Sequence, residues 1–209
     1  VLAVLGPFNF PAHLPNGHIV PALLAGNAVI LKPSERTPTA AVFMAECWEE
    51  AGLPAGVFNL VVGGGEIGAY LSAHAEIDGL LFTGGGPVGD SLRAAFADRP
   101  EKMLALELGG NNPLVAWDVL DAKAAALTIL QSAYITAGQR CTCARRLILP
   151  EGATGDRILD ALIGLIDQMQ VGPADANPAP FMGPLISFEA AEAVIIAQEK
   201  LVSNGAQRI

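Results

Sequence analysis

Short apolar runs of β type alternate with helical segments through the first half of this chain. The predicted strands are residues 1–5, 28–31, 58–62, 79–83 and 103–106. The predicted helices between them are residues 18–25, 39–51, 67–73 and 88–98. Parallel strands need a crossover connection, and a helix usually supplies it. The alternation therefore predicts an α/β fold built on a parallel sheet.

The pattern of segments changes after the motif "ELGGNNP". A long alanine-rich segment over 121–137 comes first, and after it we predict a strand over 146–149 and helices over 156–169 and 188–203. This change in composition predicts a domain boundary between residues 109 and 110. The chain then consists of one domain over 1–109 and a second α/β domain over 110–209.

Composition excludes several classes of partner. Of the 209 residues, 52% are hydrophobic and 16% are charged, which is enough apolar material for a substantial core. The net charge of −9 argues against a surface that neutralises phosphates, so we expect no nucleic-acid partner. The longest apolar stretch, residues 19–31, is broken by Pro21 and Asn27, so we expect no membrane partner. Three cysteines form no disulfide framework, which favours a reducing cytoplasm.

Two glycine-rich loops match the spacing of a phosphate-binding turn. "GGGEIG" contains Gly63 and Gly65, and "GGGPVG" contains Gly84, Gly85 and Gly89. Each loop follows a predicted strand and opens a predicted helix, where backbone N–H groups and the helix dipole favour an anion. Because glycine is abundant, with 23 in the chain, either loop can equally be a tight turn without a ligand.

A cation and an anion lie three residues apart where a predicted strand ends. Lys32 and Glu35, in "LKPSE", can hold a ribose, since a carboxylate accepts hydrogen bonds from the 2′- and 3′-hydroxyls and repels a 2′-phosphate. The alternative is an exposed ion pair in a strand-to-helix loop. On their own, these two residues favour the alternative.

Two cysteines, Cys141 and Cys143, stand one residue apart in "TAGQRCTCARR" among three arginines. A zinc site wants about four clustered ligands, but the histidines are distant and show no paired spacing, so we expect no metal. A disulfide across one residue is strained. The remaining alternatives are a thiolate activated by nearby positive charge and a buried apolar cysteine.

Five motifs occur together in order: "GPFNFP", "LKPSE", "FTGGGPVG", "ELGGNNP" and "GQRC". In this order and spacing they resemble the aldehyde dehydrogenase superfamily across essentially all 209 residues. The resemblance implies a Rossmann-like NAD-binding domain over 1–109 and a catalytic domain over 110–209. It also implies less than half of a family-sized chain, with the start of the first domain and the end of the second missing. We therefore expect the isolated chain to be inactive.

The resemblance assigns a role to each matching residue. Cys141 is implied as the nucleophile that forms a thiohemiacetal and then a thioester, and Asn9 with the Cys141 N–H as the donors to the oxyanion. Glu107 is implied as the base that activates the hydrolytic water. Lys32 and Glu35 match the contacts to the adenosine ribose, which reverses the earlier preference and implies NAD as the cofactor.

One cofactor position departs from the family pattern. The family usually has serine where this chain has Gly85, and the loss of that hydroxyl costs about 0.5–1.5 kcal/mol of cofactor binding. The helix N–H groups that can hold a pyrophosphate remain. The residues implied for the cofactor are Lys32, Glu35, Gly63, Gly65, Thr83, Gly84, Gly85 and Gly89.

Residues 13–27, 106–114 and 136–147 carry a narrower resemblance, to the branch that oxidises N-succinylglutamate 5-semialdehyde in arginine breakdown. That substrate bears two carboxylates, and arginine is the side chain best shaped to hold a carboxylate. Arg140 is the candidate. The alternative is that Arg140 and Arg145 form structural ion pairs.

Other functions remain open from the sequence. One is an aldehyde dehydrogenase for a neutral aldehyde, and another is a non-catalytic fragment that binds only the dinucleotide. An enzyme that passes the thioester to coenzyme A is disfavoured, since Glu107 supplies the water-activating base. The resemblance further implies a homo-oligomer for the full-length protein.

Overall fold

Five parallel strands form the first sheet of the computed structural model, which describes residues 1–209. They are β1 (Leu2–Leu5), β2 (Val29–Lys32), β3 (Phe58–Leu60), β4 (Gly79–Gly84) and β5 (Met103–Leu108). Their order in the sheet is β3-β2-β1-β4-β5. This is the doubly wound order of a Rossmann-like fold, in which the direction of strand addition reverses between β1 and β4. The predicted α/β fold with a parallel sheet is confirmed.

Four helices connect these strands, and they cover both faces of the sheet. They are α1 (His13–Leu24), α2 (Pro38–Glu50), α3 (Gly65–Ala73) and α4 (Gly86–Phe96). The helix α1 begins five residues before the predicted start at residue 18. Pro15 fits in its first turn, because an N–H there has no partner within a helix.

The strand β1 shows how the two faces of the sheet are buried. Leu2 and Val4 pack in one cluster with residues of α1 and α2. Ala3 and Leu5 pack in another cluster with residues of α3 and α4. Successive side chains of a strand point to opposite faces, so a central strand of this kind must be apolar at every position. The motif "LAVL" meets that requirement.

The second unit has a smaller sheet and three helices. The strands β6 (Asn112–Val115) and β7 (Ala144–Ile148) are parallel, and the helices are α5 (Ala122–Tyr134), α6 (Ala153–Ile166) and α7 (Phe188–Ser203). Asp121 caps α5 by accepting hydrogen bonds from two backbone N–H groups. The core lies between α5 and α6 and includes Ile129 and Ile158. None of the helices in the chain has the length and apolar composition of a membrane span.

The chain consists of two compact units, Val1–Gly109 and Gly110–Ile209. The strand β6 of the second unit was not predicted, because "NPLV" is short and carries a proline that is found in strands mostly at edges or beginnings. The alanine-rich segment over 121–137 forms α5, which ends at Tyr134. After it, Thr136, Ala137 and Gly138 have φ values of 54°, 55° and 69° and form a left-handed turn.

Candidate active site

The predicted cofactor and base residues of the first unit lie at one edge of its sheet, the edge formed by the carboxyl ends of the strands. Lys32 ends β2, Gly84 ends β4, and Glu107 on β5 pairs in register with Thr83 on β4. Asn9 follows the end of β1. In an open α/β sheet, ligands bind outside the carboxyl ends of the strands where the order reverses, which here is between β1 and β4.

Lys32 is a buried cation, with 7% of its surface exposed. Its Nζ donates to the carbonyl oxygens of Pro33 and Gly63, each at 2.7 Å. The Glu35 carboxylate lies 3.7 Å from the same Nζ, and its side chain is 55% exposed. Lys32 therefore joins the end of β2 to the loop after β3, and its ion pair with Glu35 leaves most of that carboxylate exposed to a ligand.

The loop that contains Gly63 and Gly65 already carries an anion. The Glu66 carboxylate accepts a hydrogen bond of 3.0 Å from the Gly64 N–H at the start of α3. A second anion at this helix end would be repelled by that carboxylate. A side chain at Gly63 would collide with Ile67, so tight packing explains the glycine at this position.

The loop that contains Gly84, Gly85 and Gly89 fits an anion better. The N-cap of α4, Gly85, makes no side-chain capping bond, and the first turn has no acidic residue. A Cβ atom at Gly89 would lie 2.6 Å from Leu108, so this glycine allows α4 to approach β5 closely. The dipole and N–H groups of α4 are thus available to a phosphate at the edge where the strand order reverses.

His18 is a residue of this edge that the sequence interpretation left without a role. Its Nε2 shares a hydrogen bond of 3.3 Å with the Thr83 hydroxyl. Burial lowers the pKa of His18, and the Glu107 carboxylate opposes this by raising it. The imidazole is therefore neutral at pH 7 beside Thr83 and Glu107. Only the fold brings these residues together, because His18 lies 65 positions from Thr83.

In the second unit, the two neighbouring cysteines have different environments. Cys141 is exposed and Cys143 is 2% exposed, and both are free thiols. The Cys143 thiol lies 3.8 Å from the Ile135 carbonyl oxygen. The buried-cysteine alternative therefore describes Cys143, whereas Cys141 is open to a reactant. No group of three or more His, Cys, Asp or Glu residues in the chain could hold a metal ion.

The arginines around Cys141 bind mainly the backbone of their own unit. Arg145 Nη2 donates to the carbonyl oxygens of Gly138 and Arg140, at 3.1 and 3.2 Å. Arg146 Nε donates to the Asn111 carbonyl oxygen at 3.0 Å. Arg140, the predicted substrate residue, is half-buried, and its Nε donates to the Thr136 hydroxyl at 3.0 Å.

Comparisons with known proteins give close relatives. The chain is 60% identical over 205 residues to N-succinylglutamate 5-semialdehyde dehydrogenase 1 of Caulobacter vibrioides. The matched region covers 98% of this chain and 43% of that protein. Among solved structures, lactaldehyde dehydrogenase from Escherichia coli matches with a TM-score of 0.91 and 37% identity, over 99% of this chain and 43% of that one. An NADP-dependent enzyme of E. coli matches with a TM-score of 0.90 and 36% identity over the same shares.

These matches confirm the resemblance inferred from the five motifs. The chain spans less than half of the length of the curated relative, as that resemblance implied. The model of the aldehyde dehydrogenase family matches residues 1–209. The chain belongs to the aldehyde dehydrogenase family.

Proposed function

We propose that the complete protein oxidises N-succinyl-L-glutamate 5-semialdehyde to N-succinyl-L-glutamate with NAD, in arginine catabolism. The observation that carries the proposal is the 60% identity to a dehydrogenase named for this substrate, over 98% of the chain. The matched part of that relative includes both the cofactor edge of the first unit and the Cys141 segment. Residues 1–109 then form the NAD-binding domain, and residues 110–209 belong to the catalytic domain.

Cys141 is the proposed nucleophile. Its thiol is exposed, and its backbone N–H donates to no acceptor within the protein, so that donor is available to a ligand. The thiolate adds to the aldehyde carbon, and the carbonyl oxygen becomes the oxyanion of a thiohemiacetal. The Cys141 N–H and the side-chain amide of Asn9 are the proposed donors to that oxyanion, since neither group has to change its protonation state.

Glu107 is the proposed general base for the second half of the reaction. Its side chain is exposed at the end of β5, where water can reach it. The carboxylate takes a proton from water as the water attacks the thioester, and the Cys141 thiolate leaves as the carboxylate product forms. His18 lies beside this group as a neutral imidazole and adds no positive charge to it.

The first unit fits NAD as the cofactor. The available N-terminus of α4 suits a pyrophosphate, and the exposed Glu35 carboxylate suits the ribose hydroxyls of an adenosine. The same carboxylate would repel a 2′-phosphate, which favours NAD over NADP. The fold alone does not make this choice, because a similar solved structure is described as NADP-dependent. When bound, NAD supplies the hydride acceptor for oxidation of the thiohemiacetal.

Restoring the family's serine at Gly85 is expected to strengthen NAD binding. A Cβ atom there would meet only Pro87, at 3.9 Å, and the backbone is extended, so a side chain fits without strain. One new hydrogen bond contributes about 0.5–1.5 kcal/mol, so Gly85→Ser should lower the NAD dissociation constant about two- to tenfold in calorimetric titration. The control, Gly164→Ser on α6, introduces the same side chain where nothing lies within 4 Å. An unchanged affinity for Gly85→Ser, or an equal gain in the control, contradicts this prediction.

Arg140 is the proposed contact to a substrate carboxylate. Its guanidinium is held near the left-handed turn by the bond from Nε to Thr136, in the segment that carries the nucleophile. An arginine beside the reacting thiol would favour a dianionic aldehyde over a neutral one by a charge-assisted hydrogen bond.

A comparison of two substrates tests this function. The complete protein is assayed for NADH formation with N-succinylglutamate semialdehyde and with a neutral aldehyde of similar length. We expect kcat/KM to be about a hundredfold higher for the dianion, about 2.7 kcal/mol of transition-state preference. Equal values would leave an aldehyde dehydrogenase for neutral aldehydes and remove the role of Arg140. No activity with either aldehyde would favour a protein that only binds the dinucleotide.

The cellular setting follows from the same proposal. The three free thiols fit a reducing cytoplasm, and the similar curated proteins are bacterial metabolic enzymes. We propose that the complete protein is cytoplasmic. We also propose that it is a homo-oligomer, and this second proposal rests on the family resemblance alone.

A further inference from the structure

The side chain of Asn112 binds the backbone of residues 141–143, a segment distant from it in the sequence. Asn112 is the first residue of β6, and its Nδ2 donates to the carbonyl oxygens of Cys141, at 2.6 Å, and Cys143, at 3.0 Å. Both acceptors are carbonyls, which only accept, so the amide nitrogen and not the amide oxygen must face them. One side chain therefore fixes two peptide groups that lie 29 and 31 positions away.

The bonds from Asn112 continue a series along the same segment. Arg145 holds the carbonyl oxygens of Gly138 and Arg140, so four carbonyls between residues 138 and 143 face donors from β6 and β7. The Cys143 side chain is buried, whereas the Cys141 thiol is exposed. With its carbonyl bound to Asn112, Cys141 keeps its own N–H without a protein acceptor.

The backbone before Cys141 makes an external support necessary. Thr136 and Ala137 have left-handed conformations, which cost about 1–2 kcal/mol for each residue with a Cβ atom. Such conformations persist only where surrounding contacts hold them. The hydrogen bonds of Asn112 and Arg145 are contacts of this kind on the segment that follows the turn.

The geometry points to Asn112 as a positioning residue for the Cys141 nucleophile. By binding the carbonyls of Cys141 and Cys143 it fixes the peptide that follows Cys141, and with it the direction of the thiol. The peptide that carries the Cys141 N–H is held on its other side, where Arg145 binds the Arg140 carbonyl oxygen. This inference rests on the proposed role of Cys141 as the nucleophile. Asn112 touches no reacting atom and acts through Cys141 alone.

The variant Asn112→Asp tests this inference in the complete protein. It keeps the shape of the side chain but turns a double donor into an acceptor that faces two carbonyl oxygens, so the segment must move. We expect kcat to fall about a hundredfold, as for a misplacement of about 1 Å in a reacting group. The NAD dissociation constant should stay unchanged, because the cofactor residues belong to the first unit.

A second readout reports on the thiol directly. In a Cys47→Ser background, which removes the other exposed cysteine of residues 1–209, the rate constant of Cys141 alkylation by iodoacetamide, followed by mass spectrometry of the peptide that contains Cys141, should change at least fivefold in Asn112→Asp. The matched control is Asn111→Asp, which makes the same charge change at the neighbouring exposed residue. We expect this control to keep both the kcat and the alkylation rate.

Several outcomes would overturn the inference. These are a folded Asn112→Asp protein with kcat and alkylation rate within twofold of the parent, and equal losses in Asn111→Asp. If Asn112→Asp does not fold, Asn112→Ser decides by the same two readouts, because serine offers one donor instead of two. Failure of the proposed function is distinguishable, since it would appear in the parent protein, as no NADH formation or as equal rates with the dianionic and the neutral aldehyde. Failure of the nucleophile role would appear as activity that survives the loss of the Cys141 thiol.

Discussion

Replacing Cys141 by alanine is expected to abolish NADH formation by the complete protein, with a fall in kcat of about ten-thousand-fold or more. The reaction needs a thiolate that can reach an aldehyde, and Cys141 is the exposed thiol of its segment. The neighbouring thiol of Cys143 cannot replace it, because that side chain is 2% exposed and packed in the protein. Steady-state NADH formation with N-succinylglutamate semialdehyde measures the effect.

The matched control for this variant is Cys47→Ala. Cys47 is also an exposed free thiol, but it lies on α2 in the first unit. We expect full activity from Cys47→Ala, and an unchanged NAD dissociation constant for Cys141→Ala, which would show that the loss is chemical and not a failure to fold. If Cys141→Ala keeps more than about a hundredth of the activity, a covalent role for this thiol is excluded.

The sheet of the first unit could be predicted because its signals are local. The strand β1 and the first three residues of β2 are continuous apolar runs, as buried parallel strands require, and glycine or proline follows each strand. The start of α1 has no comparable signal: its N-cap, Ala12, makes no side-chain bond, and Pro15 in the first turn obscures the helical pattern. The structure therefore begins this helix earlier than the sequence suggests.

In the region before Cys141, the local sequence signal and the structure disagree. Ala137 is a strong helix former, so its residue type favours an extension of α5, yet it adopts a left-handed conformation. Contacts from elsewhere in the unit hold this segment, including Arg145 on β7 and a hydrogen bond from the Ile186 N–H to Gln139 Oε1. The second of these contacts joins residues 47 positions apart, so local propensity could not indicate the turn.

The residues of the candidate site also fall into those that local sequence motifs indicate and those that only the fold brings together. The glycine loops and Lys32 carry motifs, so the sequence alone could place them at the ends of predicted strands. The contacts of His18 with Thr83 and of Asn112 with Cys141 depend on strand register and loop closure over 65 and 29 positions. Asn112 does lie in the motif "ELGGNNP", and that was the available signal, although the motif gives no reason to connect it with the cysteines.

Replacing Glu107 by glutamine is expected to separate the two halves of the reaction. Glutamine keeps the size of the side chain but cannot take a proton from water, so hydrolysis of the thioester should slow about a hundred- to ten-thousand-fold. Formation of the thioester needs no such base. Rapid-mixing measurements should therefore show a burst of one NADH per active site, followed by a much reduced steady rate.

The control for this variant is Glu101→Gln, which makes the same change at an exposed residue shortly before β5 and should leave both phases intact. Hydroxylamine gives a sharper test, because it attacks a thioester without the help of a general base. It should restore NADH turnover in Glu107→Gln by releasing the acyl group from Cys141, but it should not restore turnover in Cys141→Ala. A Glu107→Gln enzyme with a slow first turnover and no burst would assign Glu107 to the oxidation step, since thioester formation would then depend on its carboxylate.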